Sequence, residues 1–139
     1  MISRLINLIN SSPRMILNQE QRRAKSSRPE HRRLRKYLMN NKEMKCIICQ
    51  KNLPKYLLEC AHIKPRHLST YWERNDVNIV NWMCRNCHKI YDIGDITIDE
   101  GILIKNDFIK SYDFQDNFNF EEYEISDIYF EFHKNNIFK

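Results

Sequence analysis

Apolar residues recur along this chain with two different periods, and the change from one to the other marks its elements. Over 29–40, Leu34, Tyr37 and Leu38 fall three and four apart, the spacing of one helix face. Arg32, Arg33, Arg35 and Lys36 occupy much of the remaining surface. Ser27-Arg28-Pro29-Glu30 reads as a capping box with proline just inside the helix start. A preceding helix over 13–25, capped by Ser12, would complete a basic helical arm. Further along, 56–63 reads as a strand ending in a polar cluster, and 77–83 as a second strand or extended segment after an irregular stretch. A short helix over 85–93 should stop at Gly94, a residue suited to a left-handed cap. Ile96-Thr97-Ile98 and Ile102-Leu103-Ile104, split by Asp99-Glu100-Gly101, predict a hairpin.

Composition sets the scale of the core. The chain has 139 residues, 42% of them hydrophobic, which suits one small domain with an arm and a tail. No run approaches the roughly 18 apolar residues of a membrane span. Residues 1–17 are interrupted by Arg4, Asn7, Asn10 and Pro13, so no signal-peptide core is present and a reducing intracellular compartment is expected. Charge is segregated. Residues 1–55 hold 14 Lys and Arg against 3 acids, 56–106 hold 6 against 7, and 107–139 hold 3 against 8. The expected organisation is therefore a basic arm over 1–43, a core over 44–106, and an acidic tail over 107–139. That tail carries ten of the sixteen aromatic residues, and it should pack on the core or on a second subunit. A basic first third suits a polyanion, because cations near phosphates release condensed counterions. Arg22, Arg23, Arg32, Arg33, Arg35 and Lys36 are the candidate polyanion contacts of the arm, and the alternative for them is a solvated, salt-bridged surface.

Four of the five cysteines form two Cys-x-x-Cys pairs, Cys46/Cys49 and Cys84/Cys87. Each tight turn can place two thiolates on one side, and two such turns complete a tetrahedral four-sulfur shell for zinc. A closed shell has no open position, so that zinc would be structural. Disulfides are the alternative in an oxidising compartment, and a thioredoxin-like redox pair would need a flanking βαβ pattern that is missing. Cys60 is left over as a strand residue.

A second set of polar residues carries chemistry. Ala61-His62-Ile63-Lys64-Pro65 lies between the pairs, and Cys84-Arg85-Asn86-Cys87-His88 runs into Lys89-Ile90-Tyr91-Asp92-Ile93-Gly94. His88 and Asp92 stand four apart on a helix and share a face, where one imidazole and one carboxylate can hold a hard divalent cation. His88 has another reading as a Cys₃His zinc ligand, and Asp92 as a helix salt bridge.

This order of motifs resembles the HNH (ββα-metal) endonuclease family, in particular its zinc-bearing, restriction-enzyme-like members with an Ala-His-Ile signature. The resemblance covers about Cys46 to Ile104. It implies an α+β fold, a small ββα-metal core with a four-cysteine zinc knuckle. It implies His62 as general base, His88 as ligand of a catalytic Mg²⁺ or Mn²⁺, and Asp92 as the second ligand. It implies Asn78 as the residue that aims His62, although Asn78 lies ten residues before His88 where nine is common, and Asn81 is the alternative. Ala61 stands where many members carry a metal-binding Asp or His, which leaves Glu59, Cys60 and His67 as candidates to extend the ligand set. Arg66 and Arg85 flank the site in sequence and could grip neighbouring phosphates.

The function this implies is metal-dependent hydrolysis of DNA phosphodiester bonds, by a restriction-type, homing or viral nuclease. Double-stranded DNA is the expected partner, and cutting both strands from one site per chain calls for a homodimer. The alternative is a non-catalytic zinc module that binds nucleic acid, which would need neither His62 nor the His88–Asp92 pair. An interaction adaptor using the aromatic tail would leave the charge segregation without a purpose.

Overall fold

A computed structural model describes residues 28–112, 114 and 127–139. The expected helix over 13–25, and with it Arg22 and Arg23, lies outside the described residues, as does most of the acidic stretch before Asp127. The chain divides after Arg32, and the site lies wholly in the unit Arg33–Lys139.

Helix α1 (Pro29–Asn41) forms on the apolar stripe expected of it. Leu34 and Leu38 are fully buried, while Arg33 and Lys36 stay exposed. Arg35 lays its guanidinium 5.1 Å from the ring centroid of Trp82, a cation–π contact that ties the helix to the sheet. The knuckle follows. Cys46 N–H donates to Lys51 O and Gln50 N–H to Cys46 O (3.1 and 2.9 Å), folding the chain back on itself with Gln50 at positive φ.

Strand β1 (Leu58–His62) pairs antiparallel with β2 (Val80–Cys84), setting Cys60 opposite Trp82, Ala61 opposite Asn81 and His62 opposite Val80. Successive residues of a strand face opposite sides. Glu59, Ala61, Asn81 and Met83 therefore share one face, and Cys60, His62 and Trp82 the other. The first face receives helix α3 and the second receives Arg35 of α1. Both strands are shorter than the apolar runs suggested, because 55–57 and 77–79 close into single 3₁₀ turns at their starts. Between the strands lies a short helix α2 (Tyr71–Arg74) with a complete capping box: Thr70 Oγ1 accepts from Glu73 N–H, and Glu73 accepts from Thr70 N–H.

Helix α3 (Arg85–Ile93) starts directly from β2, with Cys84 as its N-cap. It ends as the sequence required, at Gly94 in the left-handed conformation with φ 87°, and Asp95 N–H closes back on Ile90 O at 3.1 Å. The hairpin β3 (Ile96–Asp99) and β4 (Ile102–Lys105) follows. Helix α4 (Asp127–Asn136) packs on β3 and on α3. Its anchor is His133, stacked on Tyr91 at 3.6 Å between ring centroids, with Nε2 donating to Tyr91 O (2.7 Å) and Nδ1 accepting from Thr97 Oγ1 (2.8 Å). Both ring nitrogens are thus satisfied in a dry setting, and burial pulls the His133 pKa down to about 4 against the weaker upward pull of the Tyr91 carbonyl and Asp92. The protein is a small domain of mixed helix and strand, with a four-cysteine cluster at the junction of β2 and α3. Among the described residues, no helix is long and apolar enough to cross a membrane.

Candidate active site and metal centre

The two Cys-x-x-Cys turns meet. The sulfurs of Cys46, Cys49, Cys84 and Cys87 all lie within 4.8 Å of one another, and all five cysteines are free thiols. The approach is built locally. Ile47 N–H donates to Trp82 O (2.9 Å), which docks the knuckle on β2, and Cys87 N–H donates to Cys84 Sγ (3.5 Å) at the start of α3. Amides at a helix start favour a thiolate there.

The charge state of the cluster indicates what is needed to hold it. Cys46 and Cys87 keep their protons more tightly than a free thiol, because each donates to neighbouring sulfurs. Cys84 gives its proton up far more readily and Cys49 is lowered to about 7, in each case chiefly through the hydrogen bond from Cys46. Four crowded sulfurs therefore divide into donors and acceptors, and all four can be thiolates only around a cation. Their number, type and closeness fit a tetrahedral zinc shell.

Across the sheet, the helix residues converge on Glu59. His88 Nδ1 lies 2.7 Å from Glu59 Oε1, and His88 Nε2 lies 3.1 Å from Asp92 Oδ2. Burial alone would lower the His88 pKa, but hydrogen bonds to Asp92 and Glu59 outweigh it and raise the net value above the ordinary one. Arg85 Nε sits 3.4 Å from the other Glu59 oxygen. Asp92 keeps about half its side chain in water, at 54% exposure, so the cluster opens outward on its Nε2 side. Two ligands of a magnesium-sized ion at about 2.1 Å and a right angle would lie about 3 Å apart, close to the His88–Asp92 separation. One imidazole and one carboxylate on an open face thus fit a hard divalent cation, with the remaining positions left to water and phosphate.

His62, half-buried, is the last residue of β1. Its neighbour Ile63 is held from two sides: Ile63 N–H donates to Ile79 O (2.7 Å), and Tyr91 of α3 donates its hydroxyl to Ile63 O (2.9 Å). Those bonds tie the Ile63 backbone to the helix that carries His88, while strand alternation sets the His62 side chain on the face of β1 away from that helix. Asn78 is exposed in the turn before Ile79, with its amide bonded to Asp76 Oδ1 (3.0 Å). Asn81 is buried on β2 opposite Ala61, with Oδ1 accepting from Trp82 N–H (2.8 Å). Among the cationic candidates, Arg33 is spent on Asn75 (2.8 Å to Oδ1), Arg35 on Trp82 and Arg85 on Glu59, while Arg32 and Lys36 are exposed and Arg66 is half-buried.

Glu59 is the residue whose role sequence reasoning located least well. Its signal was the strand alternation: two residues before Ala61, it had to share the Ala61 face, the face that meets α3.

Fold and site together define a class: two antiparallel strands and a helix, a four-sulfur cluster at the strand–helix junction, and an imidazole–carboxylate pair one turn along the helix. Residues 46–99 match the family model of the HNH endonuclease, from the first cysteine of the knuckle to the end of β3. The match supports a nuclease-type function. None of the curated proteins matches the chain.

Proposed function

We propose that the protein is a metal-dependent DNA endonuclease in which His62 is the general base and His88 and Asp92 hold one divalent cation, Mg²⁺ or Mn²⁺. The observation that carries this reading is the convergence of His88 Nε2 and Asp92 Oδ2 at 3.1 Å on the open side of α3, with Glu59 on the other ring nitrogen. A carboxylate on the far nitrogen of a ligating histidine fixes its tautomer and aims its lone pair. Glu59 in this reading is a positioning residue, and it supplies from one pleat earlier the negative charge that Ala61 lacks.

His62 accepts the proton of the attacking water, a task suited to a neutral imidazole near pH 7. Asn78 lies in the turn that Asp76 Oδ1 caps through the Asn78 backbone N–H, and the next residue, Ile79, takes the amide of Ile63, which steadies the segment that presents His62. The cation, when bound, supplies charge neutralisation at the scissile phosphate and stabilises the departing 3′ oxygen. Cys46, Cys49, Cys84 and Cys87 hold a structural zinc that fixes the start of α3 relative to the knuckle. Arg66, Arg32 and Lys36, with Arg22 and Arg23, serve as phosphate contacts, and double-stranded DNA is the substrate. A homodimer would deliver the two cuts of a double-strand break. A site-specific restriction-type role and a homing or viral role share this chemistry.

The chemistry is tested at the product ends. Linear DNA cut in the presence of Mg²⁺ should carry 5′ phosphate and 3′ hydroxyl groups, so that its 5′ ends accept a label only after phosphatase treatment. Ends bearing 3′ phosphate would overturn the proposed direction of leaving-group departure.

A further inference from the structure

We propose that Tyr71 and Trp72 form an aromatic contact for the bases of the nucleic acid bound at this site. The segment joining β1 to β2 would then grip the substrate beside the scissile bond. The inference rests on the nuclease reading. Trp72 is 79% exposed and Tyr71 68%, among the largest apolar exposures of the described residues, and Leu68 beside them is 45% exposed. Isolated exposed apolar residues are ordinary, but two adjacent large rings held outward call for a partner.

The segment that presents them is firmly fixed. The Thr70–Glu73 capping box closes α2. Lys64 Nζ bonds both Glu73 carboxylate oxygens at 2.9 Å, and Arg74 Nε donates to Arg66 O at 3.3 Å. Arg33 reaches Asn75 from α1, and Tyr129 of α4 donates to Asp76 Oδ2 at 2.6 Å. On this base the two rings hold an edge-to-face arrangement, with centroids 5.2 Å apart and planes at 83°. A loop with no task would have no need to order two rings in water from four directions.

Charge and position select the partner. Residues 63–75 carry Lys64, Arg66 and Arg74 against Glu73 alone, a surplus that favours a polyanion. The segment begins one residue after His62 and leads back into β2, so it is continuous in the chain with the strand end that carries the proposed base. Aromatic rings stack on bases regardless of sequence, or wedge between base steps and open the duplex. Either action would hold the backbone at the site and strain it locally. A protein partner would call for a broader apolar patch than two rings framed by cations.

The test uses the full chain and a fluorescent DNA duplex in Ca²⁺, which separates binding from cutting. Trp82 is fully buried, so a DNA-dependent change in tryptophan emission reports on Trp72. Trp72→Ala should weaken binding by about tenfold or more, the scale of one lost base stack. Trp72→Phe should keep most of the affinity while losing the emission change, and Tyr71→Ala should weaken binding less. Because both side chains are exposed, truncation leaves no cavity in the core. Unchanged affinity in Trp72→Ala and Tyr71→Ala overturns the proposal, and a changed oligomeric mass alongside it would assign the pair to a subunit contact. A chain that cuts DNA equally well without Trp72 sinks this inference and leaves the nuclease reading intact. A chain that binds through Trp72 yet never cuts in Mg²⁺ or Mn²⁺ does the reverse.

Discussion

Glu59 shows how a single carboxylate can set the chemistry of a ring it does not share a helix with. It meets His88 Nδ1 at 2.7 Å from β1, while Asp92 meets Nε2 from one helical turn away. If Glu59 aims His88 rather than binding the ion, Glu59→Gln should weaken the metal response by about 10- to 100-fold while leaving cleavage recoverable at high Mn²⁺. The concentration of Mn²⁺ at half-maximal cleavage measures this, and a Glu59→Gln enzyme that stays dead at saturating Mn²⁺ would make Glu59 a ligand instead. A second residue, His133, ties stability to pH. Its pKa is near 4 in the folded protein against an ordinary value of about 6.5, so the unfolded chain binds the proton more readily between the two. Its contribution is complete above about pH 6.5 and is lost as pH falls toward 4. Urea unfolding at pH 7 and pH 4.5 should show that loss in the native chain, and a smaller loss in His133→Gln.

At the scale of elements, the sequence was most legible where two signals agreed. Helix α3 had a start inside the second Cys-x-x-Cys pair and a glycine stop, and its span is as expected. The hairpin had an alternating Ile96-Thr97-Ile98 and a short apolar run Ile102-Leu103-Ile104 on either side of Glu100-Gly101, both of which adopt positive φ. Helix α2 gives no periodic signal because four residues cannot display a period, yet Thr70-x-x-Glu73 carries the capping signal. Helix α4 was hidden because Ile128, Tyr129, Phe130 and Phe132 crowd together without a clear stripe, and only packing on β3 selects Tyr129, Phe130 and His133 as its buried side. The α3 stop also carries a packing demand that no sequence signal expressed. A side chain at Gly94 would collide with the Ile137 carbonyl, and Gly94 O accepts from Lys139 N–H at 2.9 Å. Gly94→Ala should therefore lose more than the backbone strain of about 1–3 kcal/mol, and thermal unfolding should show a Tm lower by several degrees. An unchanged Tm would mean that the end of the chain yields freely there.

For the molecule as a whole, order depends on joining pieces too small to fold alone. Two strands, one helix and a knuckle make a thin core, and a metal shell at the β2–α3 junction would staple them. The purified chain should hold about one zinc that survives mild EDTA dialysis, and Cys46→Ser or Cys87→Ser should lose both the zinc and the folded signal in circular dichroism. A fully folded, zinc-free protein would contradict the structural assignment. The cysteine spacing made this cluster legible in the sequence, because only the two turns had to be read. The partnership of Glu59 with His88 spans 29 residues and depended on the β1–β2 register, which no local pattern states.

The most direct measurement of the central claim is a time course of supercoiled plasmid cleavage in Mg²⁺ and in Mn²⁺ for the native chain, His62→Ala and His88→Ala, with zinc content determined on each sample. The expected result is cutting by the native chain and a rate at least about 10²-fold lower in His62→Ala, at equal zinc content. His88→Ala should fall as far and should no longer respond to added metal. A native chain that binds DNA and never cuts it, or a His62→Ala chain that cuts as fast as the native one, would contradict the assignment of the chemistry to this site.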